Sequence, residues 1–566
     1  MTIEQENQNQ SKMDSSTYLP LSLSLLYLVS WINTTTSSSS ATLLSTENNF
    51  LRCMSLQFSS FSQIHTPKTS SYASLLYSNT TSYRRFYSTT KPKPLAILTP
   101  KNEADIKKAF ICSKKNGFQV RVKSGGHDYE GLSSISNFPF IIVDLVNFRS
   151  ISVNVKCETA WVQAGATIGE LYYRIAEKSK TLAFPAGTCP TVGVGGHFSG
   201  GGMGTLVRKY GVAADNVIDA YILDANSIIL NRKSMGENLF WAIRGGSGAS
   251  FGIILSWKVK LVSVPPTVTV FTPRRSLEKG AAQLVLRWQH IADKLHEDLY
   301  IRVILQNGLD EQTGNKTIYA LFNSLYLGGT QELLQLMEQS FPELGVTASE
   351  CTEMSWIESV LYFVNVQEKP LEVLLDRTHS DTEFFKAKSD FVNKPISEIG
   401  FQGYGEVSKK KIGIMSKISE SSVPFPHRKG NLYNIQYIVK WKQEGIQASQ
   451  NHMKWMKDLY EYTTPFVTNS PRAAYVNYRD LDLGTNDLCN MNYSQSSQWG
   501  MKYFKGNFKR CAWVKRETDP RNFFRNEQSI PPFQKEKQSM VISLAPAKEK
   551  QSMANFLLLL LSFFFF

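Results

Sequence analysis

Arg121-Val122-Lys123-Ser124-Gly125-Gly126-His127-Asp128-Tyr129 is the stretch on which the reading of this chain turns. Phe118, Val120 and Val122 alternate with polar residues, as in a strand, and the strand runs straight into a Ser-Gly-Gly turn. Glycines let backbone N–H groups approach a phosphate closely, and successive N–H groups form an anion nest. The spacing is not G-x-G-x-x-G, so this is no Rossmann fingerprint. His127 stands where a cradled nucleotide would lie. Taken alone, it is equally well a hydrogen-bonded structural histidine.

Working outward, Asn102 is placed to cap a helix with Asp105 in its first turn, Ile106, Ala109 and Phe110 on one face, and Gly117 closing it. Pro139–Leu145 reads as a buried strand. Thr167-Ile-Gly-Glu170 has capping-box spacing and opens a helix with Leu171 and Ile175 inside. Val217–Leu223 and Ile228–Leu230 read as a hairpin, and Phe251–Val264 as a long strand ended by Pro265-Pro266. Beyond the double proline, helical stretches (Gln331–Gln339, Asn451–Tyr462) alternate with strands (Tyr300–Leu305, Leu432–Val439). The fold class is therefore α+β in two domains: residues 92–266, then a substrate domain at 267–474. A closing stretch at 475–533 returns to the first.

Three further motifs carry chemistry. Residues 187–204 hold Cys189, Pro190, Val192 and His197 among closely spaced glycines, so the backbone there packs against something flat or charged. Leu239–Gly252 reads as a short helix broken at Gly245 that re-enters a strand. Tyr475-Val-Asn477-Tyr478-Arg479-Asp480 is dense in polar and aromatic groups and suggests a return to a cofactor site; the bland alternative is a surface strand and turn.

Lys+Arg is 62 against Asp+Glu 48, a formal net charge of +14. A basic surface suits polyanions such as acidic cell-wall polymers. No zinc-finger spacing or isolated basic arm is present, so nucleic acid is not expected. Seven cysteines without a C-x-x-C pair make neither a disulfide scaffold nor a metal site. Residues 1–32, with apolar Leu19–Ile32, read as a signal peptide, followed by an N-terminal segment at 33–91. Secretion to the cell wall or apoplast is expected, and sequons at Asn33, Asn79, Asn315 and Asn492 agree with it. The tail at 534–566 ends in a Leu/Phe run too short for an expected GPI anchor.

Together the four motifs resemble the berberine bridge enzyme-like family of plant FAD-linked oxidases, within the vanillyl-alcohol oxidase-type fold with its PCMH-type FAD-binding domain. The resemblance runs from about Asn49 to Pro532. It implies FAD bound bicovalently, with His127 on the flavin 8α-methyl and Cys189 on flavin C6. It implies Ser124, Gly125, Gly126, Asp128, Gly193, Gly195, Gly196 and Asn477 as cofactor-binding residues, and Cys53 and Cys112 as a disulfide. Val192 matches a position lining the oxygen side of the ring, where valine goes with oxygen access. Tyr129, Gln436 and Tyr478 match active-site positions near the substrate. The implied function is a monomeric, secreted oxidase. It would transfer hydride from a small alcohol, sugar or related plant metabolite to FAD, with O₂ as acceptor giving hydrogen peroxide. The alternatives are a dehydrogenase with another acceptor and a catalytically silent flavin-binding glycoprotein.

The chain departs from the family in three places. Met203 stands where many members carry a Tyr base, Asn434 where they carry a Lys that would lower that phenol's pKa, and Gln436 where alkaloid-forming members carry a Glu base. Residues 402–416 are also shorter than in relatives.

Overall fold

A computed structural model of the protein describes residues 46–56, 63–77, 92–378, 383–396, 414–534 and, in backbone only, 561–565. The expected signal peptide at 1–32, Asn33, Asn79 and the 402–413 part of the short segment lie outside the described residues. The chain divides into two compact units, 1–59 and 60–566. In the first, residues 46–56 form a helix with Phe50 and Met54 buried.

The second unit contains three larger sheets. A mostly parallel sheet orders its strands Ile64–His65, Ile97–Leu98, Phe140–Asp144 and Gln119–Lys123. An antiparallel sheet orders Ile151–Asn154, Thr159–Gln163, Ile253–Lys260, Val217–Leu223 and Ile229–Leu230. The third is an antiparallel sheet that carries long strands at Leu299–Leu309, Lys316–Tyr326, Phe384–Val392 and Tyr433–Trp441. This mixture of parallel and antiparallel sheets with helices is α+β, as expected.

Local chemistry explains the elements. The helix Glu103–Lys115 starts where Asn102 Oδ1 accepts from Asp105 N at 2.9 Å, and it buries Ile106, Ala109 and Phe110. The helix Ile168–Ala176 has both halves of its capping box: Glu170 N to Thr167 Oγ1 at 3.2 Å, and Thr167 N to the Glu170 carboxylate at 2.8 Å. The hairpin turn is tied by Asp224, whose carboxylate accepts from the N–H groups of Asn226 and Ile228.

Three readings are corrected in detail. The strand expected over Phe251–Val264 is two, Ile253–Lys260 and Val262–Ser263, because Leu261 N turns aside to Glu158 O at 2.7 Å. The helix expected at Asn451–Tyr462 begins earlier, spanning Ile446–Thr463. The tail at 534–566, set apart from both domains in sequence, supplies a strand, Leu561–Phe565, whose backbone pairs with both Leu299–Leu309 and Tyr433–Trp441.

The alternation in Gln119–Lys123 places its faces unexpectedly. Gln119, Arg121 and Lys123 are the buried residues, and the valines between them are only partly buried. Charges survive there because they are paired: Arg121 with Glu527 at 3.1 Å and Lys123 with Asp144 at 3.1 Å. Val120 and Val122, together with Arg121, line a cavity. Among the described residues no helix is long and apolar enough to cross a membrane.

Candidate active site

The cavity, about 440 Å³, lies where the strand Gln119–Lys123, the loop 187–193, the segment 475–479 and residues 524–526 converge. Gln436 reaches it from the large sheet. Ser124, Gly125, Gly126, His127, Asp128, Tyr129, Cys189, Val192, Gly193, Gly195, Gly196, Gln436, Asn477 and Tyr478 all line it.

The glycines do two different things. A Cβ on Gly125 would stand 2.2 Å from Gly193 N, and one on Gly193 would stand 2.1 Å from Ser124 Oγ. These two glycines let the loops at 124–126 and 191–195 lie directly on each other. Ser124 Oγ locks the contact by donating to Ala164 O at 2.5 Å. A Cβ on Gly196 would meet nothing within 4 Å, so this position opens to free space. Val120 and Val122 give a flat apolar wall on the same cavity. An apolar bed, an uncrowded glycine and converging polar groups suit a flat ring carrying phosphates, which is what FAD presents.

His127 and Cys189 come from different loops and meet through a residue the sequence reading left unassigned. His127 Nε2 lies 3.1 Å from Thr191 Oγ1, and Cys189 Sγ lies 3.5 Å from the same hydroxyl. Asp128 is held by Arg479 at 2.8 Å and also accepts from the N–H groups of Glu130 and Leu132.

Across the cavity, Gln436 Nε2 donates to Tyr129 OH at 2.7 Å. Tyr129 stacks on Tyr478, with ring centroids 5.4 Å apart and planes 11° apart. Tyr475, also unassigned from sequence, meets Tyr478 edge-on at 5.0 Å. Its hydroxyl accepts from Gly202 N, Met203 N and Asn477 Nδ2, at 2.9, 3.2 and 2.8 Å. Asn477 Nδ2 also donates to His197 O at 2.9 Å. The segment 475–478 thus fastens the glycine-rich loop from outside.

Burial raises the pKa of Tyr129 and Tyr478 far above the ordinary phenol range, and brings Tyr475 up to about 12. It lowers His197 to about 4, so that ring is neutral near pH 7, and its Nε2 accepts from Gly187 N at 3.0 Å. Met203 lines the cavity. Asn434 is buried and donates to Asp390 O at 2.8 Å. Among the described lining residues Asp128 is the single carboxylate, and it is ion-paired. Elsewhere, Cys53 and Cys112 are disulfide-bonded and the other five cysteines are free thiols. Asn315 is exposed, and Asn492 caps a helix through Oδ1 to Gln495 N at 2.8 Å. Among the described residues no group of three or more His, Cys, Asp or Glu side chains is placed to hold a metal ion.

Two family models match the chain: an FAD binding domain over residues 94–231, and "Berberine and berberine like" over 474–531. The chain is 54% identical over 459 residues to berberine bridge enzyme-like 22 of Arabidopsis thaliana, covering 78% of this chain and 86% of that one. It is 49% identical over 538 residues to tetrahydroberberine oxidase of Berberis wilsoniae, covering 92% and 99%. Among solved structures it resembles the wild-type grass pollen allergen Phl p 4.0202, a glucose dehydrogenase, at TM-score 0.80 and 44% identity over 86% of this chain and all of that one. A Phl p 4 variant with one isoleucine exchanged for valine matches equally and is a glucose oxidase. The cavity's composition and this similarity over most of the length agree: the chain belongs to the berberine bridge enzyme-like family of FAD-linked oxidoreductases.

Proposed function

We propose that the protein is a secreted oxidase that holds FAD covalently through both His127 and Cys189 and passes the electrons of a plant metabolite to O₂. The observation that carries this reading is the convergence of His127 and Cys189 on one hydroxyl at the wall of a cavity otherwise closed by Tyr129, Gln436 and Tyr478. When bound, the flavin supplies the hydride acceptor. The protein's part is to hold it, to present the substrate's C–H bond, and to deal with the proton. Val192 on the cavity wall supports O₂ as acceptor, since the grass pollen relative becomes an oxidase on exchange of an isoleucine for valine.

The expected substrate is an alcohol, sugar or related metabolite. An alcohol loses a proton as its hydride leaves and so needs a base within hydrogen-bond reach. Neutral buried phenols, a neutral His197 and an ion-paired Asp128 do not supply one. A tertiary amine needs none, because its nitrogen lone pair stabilises the cation left after hydride loss. Within the related metabolites, this cavity therefore favours an amine, and two relatives are tetrahydroberberine oxidases. Tyr129, held by Gln436, would then orient the substrate without taking its proton.

Peroxide release with tetrahydroberberine and with D-glucose, measured side by side, tests the reading. Turnover of the amine above glucose supports it. Preferential turnover of glucose contradicts the amine assignment. Rapid bleaching of the flavin without peroxide would make the protein a dehydrogenase. Bound flavin that no substrate bleaches would leave the silent scaffold.

A further inference from the structure

Thr191 is buried, at 9% exposure, between the two loops that carry His127 and Cys189. Its hydroxyl oxygen lies 3.1 Å from His127 Nε2 and 3.5 Å from Cys189 Sγ. The same loop is held rigidly: Val192 N donates to Cys189 O, Ile168 N to Val192 O, and Gly169 N to Pro190 O. One hydroxyl has one proton and two lone pairs. It can serve both neighbours in two ways, accepting N–H from Nε2 while donating O–H to the sulfur, or donating O–H to Nε2 while accepting S–H, and in both it engages Nε2.

We propose that Thr191 is the positioning residue for flavin attachment, setting the ring orientation of His127 and the rotamer of Cys189 with a single hydroxyl. The proposal rests on the reading of this cavity as a bicovalent flavin site. With Nε2 engaged by Thr191, the bond from His127 would form at Nδ1. Attachment there would break one methyl C–H bond and the imidazole N–H bond and form one N–C bond. Two electrons and the displaced protons pass to the flavin ring and then to O₂. The sulfur bond replaces S–H and ring C–H in the same two-electron balance. Thr191 enters neither bond. It holds the two attacking atoms on the same wall so that both reach one ring.

The test compares Thr191→Val, which keeps the shape and loses the hydroxyl, with Thr191→Ser, which keeps the hydroxyl. Each full-length protein is acid-precipitated, and the peptides containing residues 127 and 189 are weighed by mass spectrometry for bound flavin. Thr191→Ser is expected to match the unaltered protein at both peptides. Thr191→Val is expected to lose flavin from the residue-127 and residue-189 peptides by about tenfold or more, on the scale of one lost buried hydrogen bond, and so to release colour into the acid supernatant. Labelling of both peptides in Thr191→Val at the level of the unaltered protein overturns the proposal. If Thr191→Val does not fold, Thr191→Ala gives the same comparison without a branched side chain. Unaltered protein with no covalent flavin overturns the attachment reading and this proposal together, whereas full labelling of Thr191→Val overturns this proposal alone.

Discussion

At the scale of single residues, the cavity is built by side chains that each answer to a neighbour. In the proposed oxidase reading, Val192 on the cavity wall is the residue tied to the electron acceptor. Val192→Ile is expected to cut peroxide formation about tenfold or more while leaving reduction by substrate within about twofold, a difference of 1.4 kcal/mol or more in one half-reaction. Stopped-flow reoxidation against dissolved O₂ measures this, and unchanged reoxidation would remove Val192 from the oxygen path. The phenols give a second expectation. Burial raises the pKa of Tyr129 and Tyr478, so both stay protonated until pH passes well above the ordinary phenol value near 10. The rate of flavin reduction by an amine should therefore rise only through the amine's own deprotonation, with no second inflection up to about pH 10. An inflection that Tyr129→Phe abolishes would show that this phenol acts as the base after all.

At the scale of elements, the edge strand Phe384–Val392 is clamped to the cavity loops by a buried ionic cluster. Lys386 meets Glu130 at 2.5 Å and Asp480 at 2.7 Å, and Lys388 meets Asp480 at 2.8 Å and Asp482 at 2.6 Å. Glu130 follows Tyr129, Asp480 lies just beyond Tyr478, and Lys388 adjoins Ser389, which is paired with Gln436. The clamp therefore ties together the segments that carry Tyr129, Gln436 and Tyr478, the three cavity residues proposed to face the substrate. Removing one partner of a buried pair strands the others. Lys386→Met is expected to cost about 3–5 kcal/mol in urea unfolding, while Lys454→Met, in an exposed helical pair with Asp458, should cost less than about 0.5 kcal/mol. Equal effects would mean that the cluster is no clamp.

Much of this element-scale structure is legible in the chain, because it rests on short-range chemistry. The Asn102 cap and the Thr167–Glu170 box each depend on residues three apart, and both stand as read. The burial of Arg121 and Lys123 does not follow from alternation, because it depends on Glu527 and Asp144, which alternation cannot locate. A faint signal for the clamp exists: Lys386 and Lys388 share one face of an apolar strand, a pattern that calls for buried anions. Thr191 had no signal of its own. Only the meeting of two loops shows that it stands between His127 and Cys189. The helices Tyr493–Phe504 and Asn507–Thr518 were hidden by their polar, aromatic-rich composition.

At the scale of the whole molecule, the first and last parts of the second unit are interlocked. Arg121 binds Glu527, Asp128 binds Arg479, and Arg428 binds Asp215 at 2.7 Å. His197, inside this joint, has its pKa lowered by burial from 6.5 to about 4. Above pH 6.5 the ring is neutral in both folded and unfolded chains, and its contribution to stability is complete. Between 6.5 and about 4 the unfolded chain takes up a proton that the folded one refuses, so stability falls by up to about 3 kcal/mol. Urea midpoints at pH 7 and pH 4.5 should differ, and His197→Gln should narrow the difference. An unchanged difference would assign the acid sensitivity to other groups.

The central claim, that this cavity carries FAD on two covalent bonds, is tested most directly by acid precipitation of the purified protein with flavin absorbance read in pellet and supernatant. Colour is expected in the pellet, retained in part by His127→Ala or Cys189→Ala alone and lost only when both are changed. Colour confined to the supernatant of the unaltered protein, or no colour at all, would contradict it.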